Sequence, residues 1–213
     1  AGKGRLGRRF FSPEQSGVYL SMVLRPKLTA QEALLITTAA SVAVCRAIQI
    51  VTGQSPQIKW VNDVYLGDRK VCGILTEAVS NFENGEIESI VLGIGINFHW
   101  KEPLPNELQQ KAGALFEGEV PLGITRNQLA AELIRQVEIL TEQIPSRAFL
   151  QEYRERSLVL GKRIEIHNFH QEPYFAIAEG IHENGGLIVR LEDGSLQTIQ
   201  SGEVSIRGIF CHE

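Results

Sequence analysis

Between Ile58 and Phe98 the chain alternates three β-rich runs with two turn signals, and this pattern limits the fold more than any other feature. IKWVNDVYL (58–66) reads as one strand, GDRK (67–70) as a hairpin turn, and VCGILTEAV (71–79) as the returning strand. NFENGE (81–86) carries an Asn-Gly turn, and IESIVLGIGINF (87–98) follows as an apolar strand. Strands joined by turns this short run antiparallel, because a parallel crossover needs a far longer connection. GVYLSMVLR (17–25) alternates in the same way and adds a further strand.

Two helical patterns accompany these strands. Thr29 with Glu32 three positions later forms a capping box. Leu34, Ala40, Val44, Ala47, Ile48 and Val51 then recur at helical spacing until Gly53. Thr125 caps a second helix over 126–144, with Leu129, Leu133, Val137 and Leu140 on one face and Pro145 as its stop. Residues 146–157 read as a short charged helix. The stretch 99–124 holds several Pro and Gly and no periodicity, as a functional or disordered connection would. From Val159 onward no helical pattern remains. KRIEIHN, YFAIAEGIH, GLIVRLE and LQTIQSGEVSIRG are short strands broken by ENGG (183–186) and EDG (192–194). The reading is α+β: a mixed, largely antiparallel sheet with helices on one side over 1–158, and a small SH3-like β-barrel over 159–213.

Composition excludes some classes. The longest apolar runs are broken within about ten positions, short of the ~20 a membrane span needs. Cys45, Cys72 and Cys211 are odd in number and far apart, with no zinc spacing, which favours inert thiols in a reducing, cytoplasmic setting. A net charge of −4 argues against a general nucleic-acid binder.

Against that acidic balance the opening AGKGRLGRR is anomalous, because Lys3, Arg5, Arg8 and Arg9 are interleaved with Gly2, Gly4 and Gly7. The remainder of the chain carries −8. A dense strip beginning at Ala1, not Met, leads us to expect a longer natural protein. The strip is not a P-loop, since no GxxxxGK[ST] occurs, and GIGINF (93–98) lacks the third glycine of a dinucleotide fingerprint. A solvated basic face or nonspecific nucleic-acid patch remains a rival reading. Glycines let backbone N–H groups approach a ligand, and arginines supply fork-shaped donors for phosphate and carboxylate. Together they suit an anionic small molecule. KWVND (59–63) adds Lys59, Asn62 and Asp63, Lys70 lies one turn away, and GIGIN (93–97) offers two side-chain-free strand positions followed by Asn97.

GKGRLGR (2–8), KWVNDVYL (59–66), RKVCGILTE (69–77), GIGIN (93–97) and GEVSIR (202–207), in that order, resemble the bacterial biotin–protein ligases over essentially the whole chain. The resemblance implies a class II synthetase-like catalytic domain and a two-step reaction. Biotin and ATP, with Mg2+, give biotinyl-5′-AMP, and the biotinyl group then passes to a lysine of a biotin carboxyl carrier protein domain. It implies a catalytic pair, Arg5 and Lys70. It implies biotin contacts from Gly2, Lys3, Gly4, Arg5, Lys70, Gly73, Gly93 and Gly95. It implies nucleotide contacts from Arg5, Arg8, Lys59, Asn62, Asp63, Asn97 and Arg207, with Asp63 as the candidate metal-side carboxylate. The 99–124 segment stands where the family has its adenine-covering loop. The family's first strand and helix, and its Ser/Thr–Asn segment and Gln, would precede Ala1. The resemblance is compatible with a homodimer, and it implies no membrane association and no nucleic-acid binding through this segment. Lys3 replaces the family's usual arginine, which keeps charge and loses the planar fork. Related readings are a lipoate ligase, an octanoyltransferase with Cys72 as nucleophile, and a non-catalytic biotin-binding or regulatory relative.

Overall fold

The computed structural model describes residues 2–4, 9–80, 87–100, 104–167 and 172–206. The Asn-Gly turn at 81–86 and Cys211 fall outside them. The strands it joins are β6 (Arg69–Ser80) and β7 (Ile87–Asn97), and they pair antiparallel as expected. β3 (Gly17–Leu24) lies on the other side of β7. The 58–66 run differs from its sequence reading. It is not one strand but a tight hairpin of β4 (Gln57–Lys59) and β5 (Asp63–Leu66), with Lys59 opposite Asp63. The sheet order is β3-β7-β6-β5-β4, antiparallel throughout.

A turn at Trp60–Asn62 carries no glycine or proline signal, so its support is tertiary. Val61 O accepts from Ser41 Oγ at 3.3 Å and from Tyr153 OH at 3.1 Å. Asn62 is bound to β6 in both directions: Nδ2 donates to Ile74 O at 2.7 Å, and Ile74 N–H donates to Asn62 O at 3.1 Å.

Along β7 the inward residues Ile90, Leu92, Ile94 and Ile96 are buried, and the intervening face is open. On this side of the sheet α2 (Ile36–Thr52) contacts β4, β5 and β6, and α4 (Arg126–Glu142) packs on α2 and reaches β3. Before α2 comes the single turn α1 (Ala30–Ala33), capped by Thr29 and Glu32 as the sequence implied. Thr125 and Gln128 form the equivalent box on α4, whose Leu129, Leu133, Val137 and Leu140 are buried. α2 ends at Gly53, whose φ of 73° suits glycine. Residues 30–52 correct the membrane expectation in one respect. By length and composition they could cross a membrane, and here they form α1 and the core helix α2, with 67% of their apolar window buried in the fold.

The described part of the 99–124 stretch holds α3 (Asn106–Gln109), a bridge from Ala112 to Lys70 of β6, and a bridge between His99 and Phe116. α5 (Phe149–Glu155) then leads into a second antiparallel sheet. Its strands are β8 (Arg163–His167), β9 (Tyr174–Ile181), β10 (Leu187–Arg190), β11 (Leu196–Ile199) and β12 (Glu203–Ile206). β8 to β11 form a meander, and β12 returns to pair with β8. The architecture is α+β with two five-stranded antiparallel sheets. The second sheet touches the first through its 182–186 turn, where Trp60 Nε1 donates to Gly185 O at 3.0 Å. Ile58 also pairs with Ser157 beside the junction.

Glu152 ties α5 to α2. It accepts from Arg46 Nε at 2.8 Å and from Arg156 Nε at 2.8 Å. Burial raises the Glu152 pKa, but the two arginines outweigh burial and hold it below the usual carboxylate range. A depressed folded-state pKa stabilises the protein above the unfolded value, and that contribution is lost as pH falls through the folded one. Glu152→Gln should therefore lower the melting temperature by roughly 2–4 °C at pH 7, as expected for a loss near 1 kcal/mol in a chain of this size. The gap should begin to narrow as pH falls below the ordinary Glu value of about 4.3 and close at lower pH, which melting curves across pH would check.

Candidate active site

The register of the first sheet places five residues in one row across it. Lys59 is opposite Asp63, Asp63 opposite Gly73, Gly73 opposite Gly95, and Gly95 opposite Tyr19. Two charged residues thus stand at one end, an aromatic at the other, and a side-chain-free floor lies between. The hidden turn at 60–62 creates this geometry, because a single strand over 58–66 could not set Lys59 against Asp63.

Lys70 reaches over the floor. Its Nζ lies 2.6 Å from Asp63 Oδ1, with the two side chains 32% and 24% exposed. A Cβ built on Gly73 would come within 3.4 Å of both Lys70 Cε and Nζ. Lys59 Nζ stands 5.7 Å from the centre of the Tyr65 ring. Burial pushes the Lys59 pKa down, Asp63 and Glu203 oppose that, and Lys70 adds to it. The influence of Glu203 brings a residue of β12 into the electrostatics of this cluster.

Phe10, directly after the glycine-arginine strip, lies over the same floor, and the two ends of the strip pair beside it. β1 (Gly2–Lys3) and β2 (Arg9–Phe10) pair antiparallel, with Gly2 opposite Phe10. Gly2 N–H also donates to Ser12 Oγ at 3.0 Å. Arg5 and Arg8, and Arg207 of the last motif, lie outside the described residues. The Phe10 ring rests on the two glycines. A Cβ on Gly95 would meet Phe10 Cε1 at 2.7 Å, and one on Gly73 would meet Cε2 at 3.0 Å. Tyr19 meets the same ring edge-on at a centroid distance of 6.3 Å. Close approach is thus the reason for glycine at 73 and 95, and the approaching group here is Phe10. Gly93 is different: a Cβ there would touch only Leu75, at 3.6 Å and beyond, an ordinary separation.

Asn97 is 4% exposed. Its Nδ2 donates to Gly113 O at 2.8 Å, and its Oδ1 has no partner among the described residues. Asn62, by contrast, spends its Nδ2 within the fold. Cys72 is buried, and burial holds its thiol well above the ordinary value despite Lys70. A thiol kept protonated in this way is a poor nucleophile. Among the described residues no group of three His, Cys, Asp or Glu could hold a metal ion. Sequence reasoning missed Phe10, Tyr19, Trp60 and Gly113. Phe10 alone had an available signal, an aromatic directly after the strip.

An antiparallel sheet whose Gly73–Gly95 pair lies under the Lys70 ammonium, joined to a second small sheet, agrees with the class II synthetase-like ligase architecture that the sequence resemblance implies. Residues 1–97 match the Biotin/lipoate A/B protein ligase family, and residues 159–207 match the Biotin protein ligase C terminal domain. These two matches, in this order, make the chain similar to the biotin protein ligases. The biotin protein ligase of Aquifex aeolicus, solved with biotin and ATP, superposes with a TM-score of 0.79 at 28% identity, over 97% of this chain and 84% of that one. The bifunctional ligase/repressor BirA of Escherichia coli is 30% identical over 97% of this chain. The biotin--[acetyl-CoA-carboxylase] ligase of Paracoccus denitrificans is 29% identical over 98% of this chain and 87% of its own length. The chain spans 64% of the length of the first curated relatives it matches.

Proposed function

We propose that this chain carries the catalytic machinery for ATP-dependent attachment of biotin to one lysine of a biotin carboxyl carrier protein domain. Residues 1–158 would hold biotin and ATP, and 159–213 would brace them. The observation that carries the reading is Lys70, pinned 2.6 Å from Asp63 above the Gly73–Gly95 floor. Names of the relatives and the biotin and ATP bound in the Aquifex enzyme support it.

In the first step a biotin carboxylate oxygen attacks the α-phosphorus of ATP and pyrophosphate leaves. Carboxylate and triphosphate repel, and negative charge gathers at phosphorus in the transition state. A fixed ammonium and backbone donors stabilise that charge without reorganising. Lys70 is the described residue for this role, with Arg5 and Arg8 of the strip assigned to the phosphates. Phe10 must slide off the glycine floor, or share it edge-on, for biotin to enter. The unpartnered Asn97 Oδ1 suits an amino donor on the nucleobase. A magnesium ion arriving with the triphosphate would be held mainly by phosphate oxygens and water, with Asp63 as a carboxylate that could contribute, and it would neutralise charge on the departing pyrophosphate. In the second step the carrier lysine amine attacks the acyl carbon, AMP departs, and the amine loses a proton.

The buried, protonated Cys72 disfavours octanoyl transfer through a cysteine. The test is to incubate the full-length protein with MgATP, a carrier domain, and either biotin, lipoate or octanoate. Biotin-dependent exchange of labelled pyrophosphate into ATP, with a one-biotin mass gain on the carrier, is expected. Exchange driven only by lipoate or octanoate would reassign the substrate, and biotin binding without exchange would make the chain a sensor.

A further inference from the structure

The segment after α3 is built into the site through both of its neighbours. Lys70 N–H donates to Lys111 O at 3.0 Å, and Gly113 N–H donates to Lys70 O at 2.9 Å. Lys70 thereby bridges in parallel to Ala112. On its other side the segment meets the end of β7. Asn97 Nδ2 donates to Gly113 O at 2.8 Å, Leu115 N–H donates to Asn97 O at 2.9 Å, and Phe116 N–H donates to Phe98 O at 3.0 Å. Residues 113, 114 and 115 are buried.

Gly113 is the one residue bonded to both sides. Its N–H holds the backbone of Lys70, and its C=O holds the side chain of Asn97. That second bond decides the Asn97 amide, because turning it over would face two acceptors, Oδ1 and Gly113 O. The amide is therefore set with Oδ1 as a buried acceptor lacking a partner among the described residues. Such an atom costs free energy until a ligand donor satisfies it. Space explains the glycine. A Cβ at position 113 would come within 2.9 Å of Arg69 Cβ, an atom fixed by its backbone and unable to swing aside.

We propose that Gly113 is a positioning residue that sets the Asn97 amide and thereby the preference of the site for a 6-amino purine over a 6-oxo purine. A 6-amino group donates to Oδ1, whereas a 6-oxo group sets one acceptor against another. Gly113→Ala moves the segment away from Arg69, releases the amide, and lets Asn97 turn to suit either base.

The inference rests on the ligase reading, and its test separates the two. ATP and ITP are compared in biotin-dependent pyrophosphate exchange and, independently, by calorimetric binding. The full-length wild type should favour ATP strongly. Gly113→Ala should raise the KM for ATP and cut the ATP-over-ITP preference roughly tenfold, with the KM for biotin within about twofold, as for a buried polar group that loses its match. Arg69→Gly added to Gly113→Ala removes the crowding atom and should restore much of the preference. In an Asn97→Ala background Gly113→Ala should have no further effect on the preference. A preference unchanged in Gly113→Ala, or an equal loss on top of Asn97→Ala, overturns the proposal while leaving the ligase intact. If Gly113→Ala fails to fold, Asn97→Ala alone must abolish the preference in binding, and retention of it overturns the proposal. No exchange with either nucleotide in the wild type brings down the ligase reading itself.

Discussion

Lys70→Ala should lower the rate of adenylate formation by about 10²–10³-fold or more, the usual cost of removing one preorganised group that stabilises developing charge. Its effect on folding should be small. Both partners of the Lys70–Asp63 pair keep a quarter to a third of their side-chain surface, and pairs of that kind contribute about 0–1 kcal/mol. The two numbers differ enough to decide the role of the lysine. Pyrophosphate exchange and a melting curve on the same sample read both. Lys70→Arg retains charge on a longer planar head and should recover only part of the rate. A second consequence follows from the row. Lys70 disfavours the charged form of Lys59, so its removal should raise the Lys59 pKa, visible by NMR titration. A variant that melts far lower, and whose activity loss merely tracks unfolding, would make Lys70 a structural residue.

What the sequence disclosed depended on whether the signal was local. Both threonine caps were legible because a capping box is complete within four residues. The β6–β7 pairing was legible from alternation and turn chemistry, even with the connecting 81–86 undescribed. The β4–β5 turn was not. IKWVNDVYL is β-rich with no Gly or Pro, and its bend is held by Ser41, Asn62, Tyr153 and the Trp60–Gly185 bond, up to 125 residues apart. Gly113 was silent for the same reason, since its crowding partner Arg69 and its bonding partners Lys70 and Asn97 are distant in the chain. The site glycines fall between these cases. A glycine within a strand announced a close approach, and only the register showed that Gly73 and Gly95 lie side by side beneath Phe10.

Gly95→Val should cost about a hundredfold in biotin and adenylate affinity while leaving the sheet intact. Valine suits a strand, so β7 itself gains rather than loses from the change. The new side chain instead fills the floor, where even its Cβ would lie 2.7, 2.9 and 3.1 Å from three atoms of the Phe10 ring. The ring can swing aside about its side-chain bonds, but Phe10 is paired with Gly2, so a displaced ring still lies beside the basic strip. Its displacement should disturb the strip as well as crowd the pocket. Two routes to the loss are therefore open, and a double-mutant cycle with Phe10→Ala separates them. If the valine acts by expelling the ring, Phe10→Ala recovers much of the affinity in the Gly95→Val background. If the valine stands where the ligand itself must lie, Phe10→Ala recovers nothing, and the floor belongs to biotin once Phe10 has moved aside. Wild-type affinity in Gly95→Val, measured by calorimetry with biotin and by dissociation of the adenylate, would place the ligand elsewhere and end the glycine-floor assignment.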